Sequence, residues 1–235
     1  MTVTAPEGSL IGVSLPRSTP HVFLALWQPP QYAVVEAWRL RGRTHRRTLG
    51  RVDSVVSGGR AIVAPSGRML LAGNLFRDEL LQLQVEVATR RPGGTLRVTT
   101  LRVPENSTAA AIALAPSGRG LVATAEGRRR LALRPVDPGG HVGPARYVTT
   151  ISPEAKTAMA IDSSGAGVVT VGTVGGTLAQ TTQRLVAWEL GPGSRPGPRR
   201  TLSLFTDSWY GGPVPTADRR VAWTEGRFTY AARLP

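Results

Sequence analysis

Ala111-Ile112-Ala113-Leu114-Ala115-Pro116-Ser117-Gly118-Arg119, followed by Gly120-Leu121-Val122-Ala123, is the stretch that decides the fold. It reads as a short apolar run, a tight turn and a second apolar run. Proline presets one backbone angle of such a turn, and glycine accepts the positive φ that closes it. The phrase recurs at Ala61–Arg68, ahead of Met69–Ala72. It returns at Met159–Gly165 ahead of Val168–Val171, at Val214–Arg219 ahead of Arg220–Trp223, and at Val13–Ser18 ahead of Val22–Ala25. Ser18, Ser66, Ser117, Ser164 and Ala217 mark the copies. Their separation is roughly 50 residues, the period of a four-stranded propeller blade.

Each unit continues with two more strands. The third is expected at Tyr32–Leu40, Leu80–Val87, Arg129–Val136, Arg184–Leu190 and Phe228–Leu234. A loop rich in Gly, Pro and Arg leads to the fourth, at Arg47–Val52, Thr95–Val103, Ala145–Ile151 and Arg200–Phe205. No long stretch of helical period competes.

An acidic junction follows each fourth strand: Val52-Asp53-Ser54, Pro104-Glu105-Asn106-Ser107, Pro153-Glu154-Ala155-Lys156 and Thr206-Asp207-Ser208-Trp209. Pro6-Glu7-Gly8-Ser9 repeats it after Met1–Thr4, so the chain opens with a fourth strand and closes with a third. The expectation is an all-β, five-bladed β-propeller of four-stranded blades, one domain over residues 1–235. The N-terminal strand completes the last blade and closes the ring, which removes exposed sheet edges. The blades fall at 5–52, 53–104, 105–152, 153–206, and 207–235 with 1–4.

The Ala-Pro-Ser-Gly-Arg turn and its following strand resemble the Ser-Pro-Asp-Gly-Arg turn of bacterial WD-repeat-like and TolB-type propellers. Ser66, Ser117 and Ser164 stand where that pattern has Asp, and the Trp-Asp dipeptide of the WD repeats is absent. The resemblance implies architecture. The turn is structural in those families, so no catalytic residue comes with it.

Composition narrows the chemistry. The chain has no cysteine, which excludes disulfides, thiolate zinc sites and a cysteine nucleophile. No apolar run approaches the ~18–20 residues of a membrane helix, so no membrane span is expected. Met1–Pro16 lacks the basic and apolar segments of a signal peptide, which points to the cytoplasm. A monomer is expected. The formal net charge is +14, carried almost wholly by arginine. A GC-rich codon bias accounts for arginine over lysine but not for the shortage of acids. A basic surface attracts polyanions.

In an antiparallel meander, the turns joining strands one–two and three–four share one end of the sheet. That end collects Arg68, Arg119, Arg219 and Arg220 from the first turns and Arg195, Arg199 and Arg200 from the outer hairpins, with Arg41, Arg90 and Arg146 among others. Asp137, Asp162 and Asp218 oppose them. This is the expected polyanion face. The opposite end carries the junction acids Glu7, Asp53, Glu105, Glu154 and Asp207, with Trp209 and Tyr210 beside the last. This is the expected partner face. A carboxylate ring at a channel mouth suits Ca²⁺, whereas acids repeated once per blade also serve as turn caps.

Three functions follow. The first is a non-enzymatic binding scaffold for a protein partner. The second is a propeller-type glycoside hydrolase or lyase with a cation at the channel, which needs two carboxylates about 5–9.5 Å apart. Asp162 is the sole acid at the end of an expected inner strand. The third is binding of nucleic acid or another polyanion through the arginine face. His21, His45 and His141 fall in three separate units, and neither a nucleophile elbow nor a phosphate loop is present, so no catalytic set emerges.

Overall fold

The repeated phrase folds as the same turn four times. In this computed structural model, which describes residues 21–28, 31–41, 43–52, 60–64, 66–77, 82–105, 107–127, 130–149, 156–177, 180–206, 210–225 and 228–234, Ala64, Ala115, Asp162 and Thr216 each open one copy. The backbone N–H of each donates to the residue four positions on, at 2.9, 2.8, 2.7 and 2.8 Å, while its carbonyl accepts from the residue three positions on. That third residue sits in the left-handed region: Gly67 at φ 79°, Gly118 at 86°, Gly165 at 84° and Arg219 at 66°. This is the three-residue hairpin loop in which a left-handed residue closes a type I turn. Three copies supply glycine, which takes positive φ without steric cost.

The described residues contain strands and turns and no helix. The strands are β1 (His21–Gln28), β2 (Gln31–Leu40) and β3 (Arg43–Val52); β4 (Arg60–Val63), β5 (Met69–Arg77), β6 (Gln82–Arg90) and β7 (Leu96–Leu101); β8 (Thr108–Leu114), β9 (Gly120–Glu126), β10 (Arg130–Val136) and β11 (Arg146–Thr149); β12 (Lys156–Ile161), β13 (Gly167–Thr177), β14 (Gln180–Gly191) and β15 (Arg195–Thr206); β16 (Tyr210–Pro215), β17 (Arg220–Glu225) and β18 (Phe228–Arg233). Each group is one sheet, with neighbours in chain order. The expected meander is therefore present in all five sheets. The expected strand at Met1–Thr4 and the first copy's leading strand at Val13–Ser18 lie outside the described residues.

Two fourth strands begin earlier than the sequence suggests. β3 starts at Arg43 and β15 at Arg195, so arginines read as loop residues are strand residues. Pro196 and Pro198 explain the misreading. Proline cannot donate to a ladder, but β15 pairs only with β14 and lies at the edge of its sheet, where proline is tolerated.

The chain divides into two compact units, Met1–Ala109 and Ala110–Pro235. In the first, Val34, Leu49 and Val52 of β2 and β3 pack with Val63, Met69, Leu71 and Ala88 of the next sheet. In the second, Leu121, Ala123, Leu131 and Leu133 pack with Val169, Val171, Val186, Trp188 and Leu190. The alternate residues Val168, Leu185 and Ala187 turn to Val221, Trp223 and Leu234. The β12–β15 sheet is thus apolar on both faces, each covered by a neighbour in sequence. Full burial of one such leucine stabilises the fold by about 1.5–3 kcal/mol. Like strands adjoin: β3 with β7 in the first unit, β11 with β15 and β12 with β16 in the second.

Ion pairs link consecutive sheets by a common scheme. Glu36 of β2 accepts from Arg90 of β6 at 3.1 Å and from Arg47 at 2.7 Å. Glu189 of β14 accepts from Arg219, in the turn of the following sheet. In both cases an acid on a third strand holds an arginine of the next unit.

Candidate anion-binding site

The ladder ends differently in each sheet, and the differences create the candidate site. Continuing each register beyond its last pair sets Pro92 opposite Gly67, Pro138 opposite Gly118, Pro192 opposite Gly165 and Leu234 opposite Arg219. Leu234 has an N–H and donates to Arg219 O at 2.9 Å. The three prolines have none. In the β4–β7 sheet Arg90 substitutes, its Nη1 donating to Gly67 O at 3.1 Å and its Nε to Gly94 O at 2.9 Å. In the β12–β15 sheet Ser194 substitutes, its N and Oγ donating to Gly165 O at 3.0 and 3.1 Å. In the β8–β11 sheet no described residue donates to Gly118 O.

The cause is the length of the connection between β10 and β11. Strands β14 and β15 are joined by Pro192–Ser194 alone, but β10 and β11 are joined by residues 137–145. Asp137–His141 forms a further copy of the turn, with Gly140 at φ 86°. Asp137 N donates to His141 O at 3.0 Å. The chain then runs back along β10, where Val142 bridges to Val136 and Gly143 N donates to Pro135 O at 2.7 Å. The long hairpin leaves a cleft of about 290 Å³ lined by Arg119, Pro135–Asp137, His141–Gly143, Arg146 and Gly193.

The polar groups of the cleft are ordered. Asp137 accepts from His141 N at 2.9 Å through one carboxylate oxygen and lies 3.0 Å from His141 Nδ1 through the other. The backbone N–H of His141, more than its imidazole, holds the Asp137 carboxyl below the usual carboxylate range. The imidazole is thereby held through Nδ1, and its Nε2 has no hydrogen-bond partner among the described residues. Arg146 is half-buried and donates through Nη1 to Gly193 O. Arg119 is exposed, and its guanidinium has no partner among the described residues.

No protein-family model matches the chain, and no curated protein matches it.

The remaining expected arginines divide into engaged and available. Arg219 pairs with Glu189, and Arg220 with Asp218 at 3.0 Å. Arg68 is half-buried and engaged within the fold. Arg195, Arg199 and Arg200 are exposed on β15, where they register with Gly191, Trp188 and Ala187, and none forms an ion pair with a described residue. The last strands β3, β7, β11 and β15 all carry arginine and contain neither aspartate nor glutamate. The opposing acids Glu36 and Glu189 escape a reading by turns, because they lie inside third strands. Their one sequence signal is that each is an acid beside an apolar run, Ala33-Val34-Val35 before Glu36 and Leu185-Val186-Ala187-Trp188 before Glu189.

Of the expected partner face, Glu7, Asp53, Glu154, Asp207 and Trp209 lie outside the described residues. Tyr210 is the first residue of β16, in register with Glu225. Glu105 is exposed in a turn where Ser107 donates to Pro104 O through N and Oγ, at 3.3 and 2.6 Å.

Asp162 is a turn residue by geometry. Its Oδ1 accepts from Ser164 N at 2.8 Å, Ser164 Oγ at 2.6 Å and Ala166 N at 3.0 Å. The Ser164 hydroxyl above all holds its pKa below the usual carboxylate value. A general acid for glycoside hydrolysis needs the opposite shift.

Proposed function

We propose that the protein is a non-enzymatic binding scaffold for an anionic macromolecular partner, with its five sheets forming the blades of a five-bladed propeller. The propeller reading rests on the recurring turn, on strands that adjoin in chain order, and on the meeting of like strands within each unit.

The observation that carries the functional reading is the acid-free last strand β15. It presents Arg195, Arg199 and Arg200 to solvent, and none of them pairs with an acid among the described residues. Arginine on an edge strand also blocks edge-to-edge pairing of sheets. Exposed guanidinium groups without an ion-pair partner among the described residues, Arg199 on one face of the edge strand and Arg200 on the other, additionally give a partner with phosphate or carboxylate groups bidentate donors along that edge. The partner is a protein with an acidic surface or a nucleic acid. A Ca²⁺ ion held by the junction acids would belong to the opposite face and plays no part in this contact. Asp162, committed to its turn by three hydrogen bonds, favours the scaffold over the hydrolase.

The test is elution from immobilised heparin and duplex DNA over a salt series. The triple variant Arg195→Ala, Arg199→Ala, Arg200→Ala should elute earlier, with the slope of log K against log salt reduced by about 2–3. An unchanged slope removes β15 as the contact. Hydrolysis of a glycoside that is lost in Asp162→Asn would instead establish the enzyme.

A further inference from the structure

We propose that the cleft beside the β10–β11 hairpin is a binding site for a phosphoryl group. The inference stands apart from the scaffold reading, because it uses Arg119, Arg146 and His141 rather than the arginines of β15.

The three side chains differ in how they are held. Arg146 is fixed by Gly193 O through Nη1, which leaves the rest of its guanidinium to the cleft. His141 is fixed by both carboxylate oxygens of Asp137, and its Nε2 has no partner among the described residues. Arg119 lines the cleft with its guanidinium uncommitted. Arg146 and His141 are therefore preorganised and Arg119 is free to close over a ligand, which lowers the ordering cost of binding. A planar guanidinium fork matches two oxygens of a tetrahedral phosphoryl group, and His141 Nε2 accepts from a protonated phosphoryl oxygen or, as imidazolium, donates to an ionised one.

Charge points the same way. Asp137 is the one acid of the lining, and its lone pairs are directed at His141 N and Nδ1. The guanidinium groups of Arg119 and Arg146 have no carboxylate partner among the described residues. The size is selective too. About 290 Å³ lies at the small end of ligand pockets, enough for a compact oxyanion head and too little for a dinucleotide. The neighbouring sheets supply the contrast. Arg90 and Ser194 bond the corresponding turn carbonyl in the β4–β7 and β12–β15 sheets, whereas the β8–β11 sheet makes no such bond and carries the cleft.

The phosphoryl group could come from free phosphate or from a phosphorylated side chain. Titration of the full chain with inorganic phosphate, with phosphoserine and with acetate, followed by backbone-amide NMR, separates them. Saturable shifts at His141 and Gly143 with the two phosphorylated probes, and none with acetate at equal concentration, are expected. Arg119→Ala should weaken binding by about tenfold or more, and His141→Gln by several-fold, with the circular dichroism spectrum unchanged. Tighter binding of phosphoserine than of phosphate assigns the group to a modified partner; the reverse order assigns it to the free ion. Equal shifts with acetate, or affinities unchanged in both cleft variants, would overturn the proposal.

Discussion

Arg90 and Glu36 meet at 3.1 Å, 54 residues apart in the chain, with both side chains buried. Arg90 also donates to Gly67 O and Gly94 O, so one guanidinium ties a first turn, a second hairpin and the preceding sheet together. Burial acts on Arg90 most strongly and lowers its pKa, while Glu36 opposes that shift. Removing Arg90 leaves the buried Glu36 to Arg47, and removing Glu36 leaves the buried Arg90 to backbone carbonyls, at about 3 kcal/mol each, the low end for breaking a buried pair. Arg90→Met and Glu36→Gln should each lower Tm by roughly 10 °C. A double-mutant cycle in urea should return a coupling above about 1 kcal/mol. Additive single losses would show that the pair is not coupled.

Gly118 and Gly167 should fail for different reasons. Gly118 sits at φ 86°, so Gly118→Ala places a side chain in the left-handed region, at a cost of about 1–2 kcal/mol. Gly167 has an ordinary φ, but a Cβ there would run into Ala160 O and come within 2.8 Å of Ile161 Cα. Gly167→Ala should therefore lie at or beyond the upper end of the about 1–3 kcal/mol typical of overpacking. Denaturant unfolding checks the order. A Gly167→Ala protein as stable as Gly118→Ala would contradict the close strand approach.

Arg219 occupies the same left-handed position in its turn but pairs with Glu189. Arg219→Gly should relieve the backbone cost and lose the ion pair, for a net change within about 1 kcal/mol. Adding Glu189→Gln to it should cost little more, whereas Glu189→Gln alone should destabilise. Thermal melts of the three variants distinguish this from independent effects.

Asp162 makes acid stability legible. Its folded pKa is lowered, chiefly by the Ser164 hydroxyl, so its contribution is present above the usual carboxylate pKa. That contribution is lost as pH falls through the lowered folded value. Asp162→Asn should be less stable than the parent at neutral pH, and the gap should narrow in acid. A gap in Tm that is constant from neutral to strongly acidic pH would refute the assignment.

The meander was legible because its punctuation is chemical. Pro116-Ser117-Gly118 has to be a turn, and the apolar runs on either side have to be buried. The same logic covers Pro65-Ser66-Gly67, and Asp162-Ser163-Ser164-Gly165 without its proline. The limits of β15 were not legible, because Gly-Pro-Gly-Ser-Arg-Pro-Gly-Pro reads as loop by residue type and is half strand by edge position. The division of arginines into engaged and available was hidden for a different reason. Glu36 and Arg90 meet through the packing of one sheet on another, and no local spacing encodes that registry. The cleft shows in the sequence only as a hairpin longer than its counterparts.

Pro92, Pro138 and Pro192 each end a ladder at the same step, and each sheet then finishes its second hairpin in its own way. The first hairpin is the shared part of the unit and the second is a socket. Grafting Pro192–Ser194 in place of residues 138–141 would keep the β10–β11 register, bring a serine donor to Gly118 O and remove His141 from the cleft without touching the common turn. Diversity in this architecture is interchangeable at one hairpin per sheet, and a library varied there would leave the apolar cores unaltered.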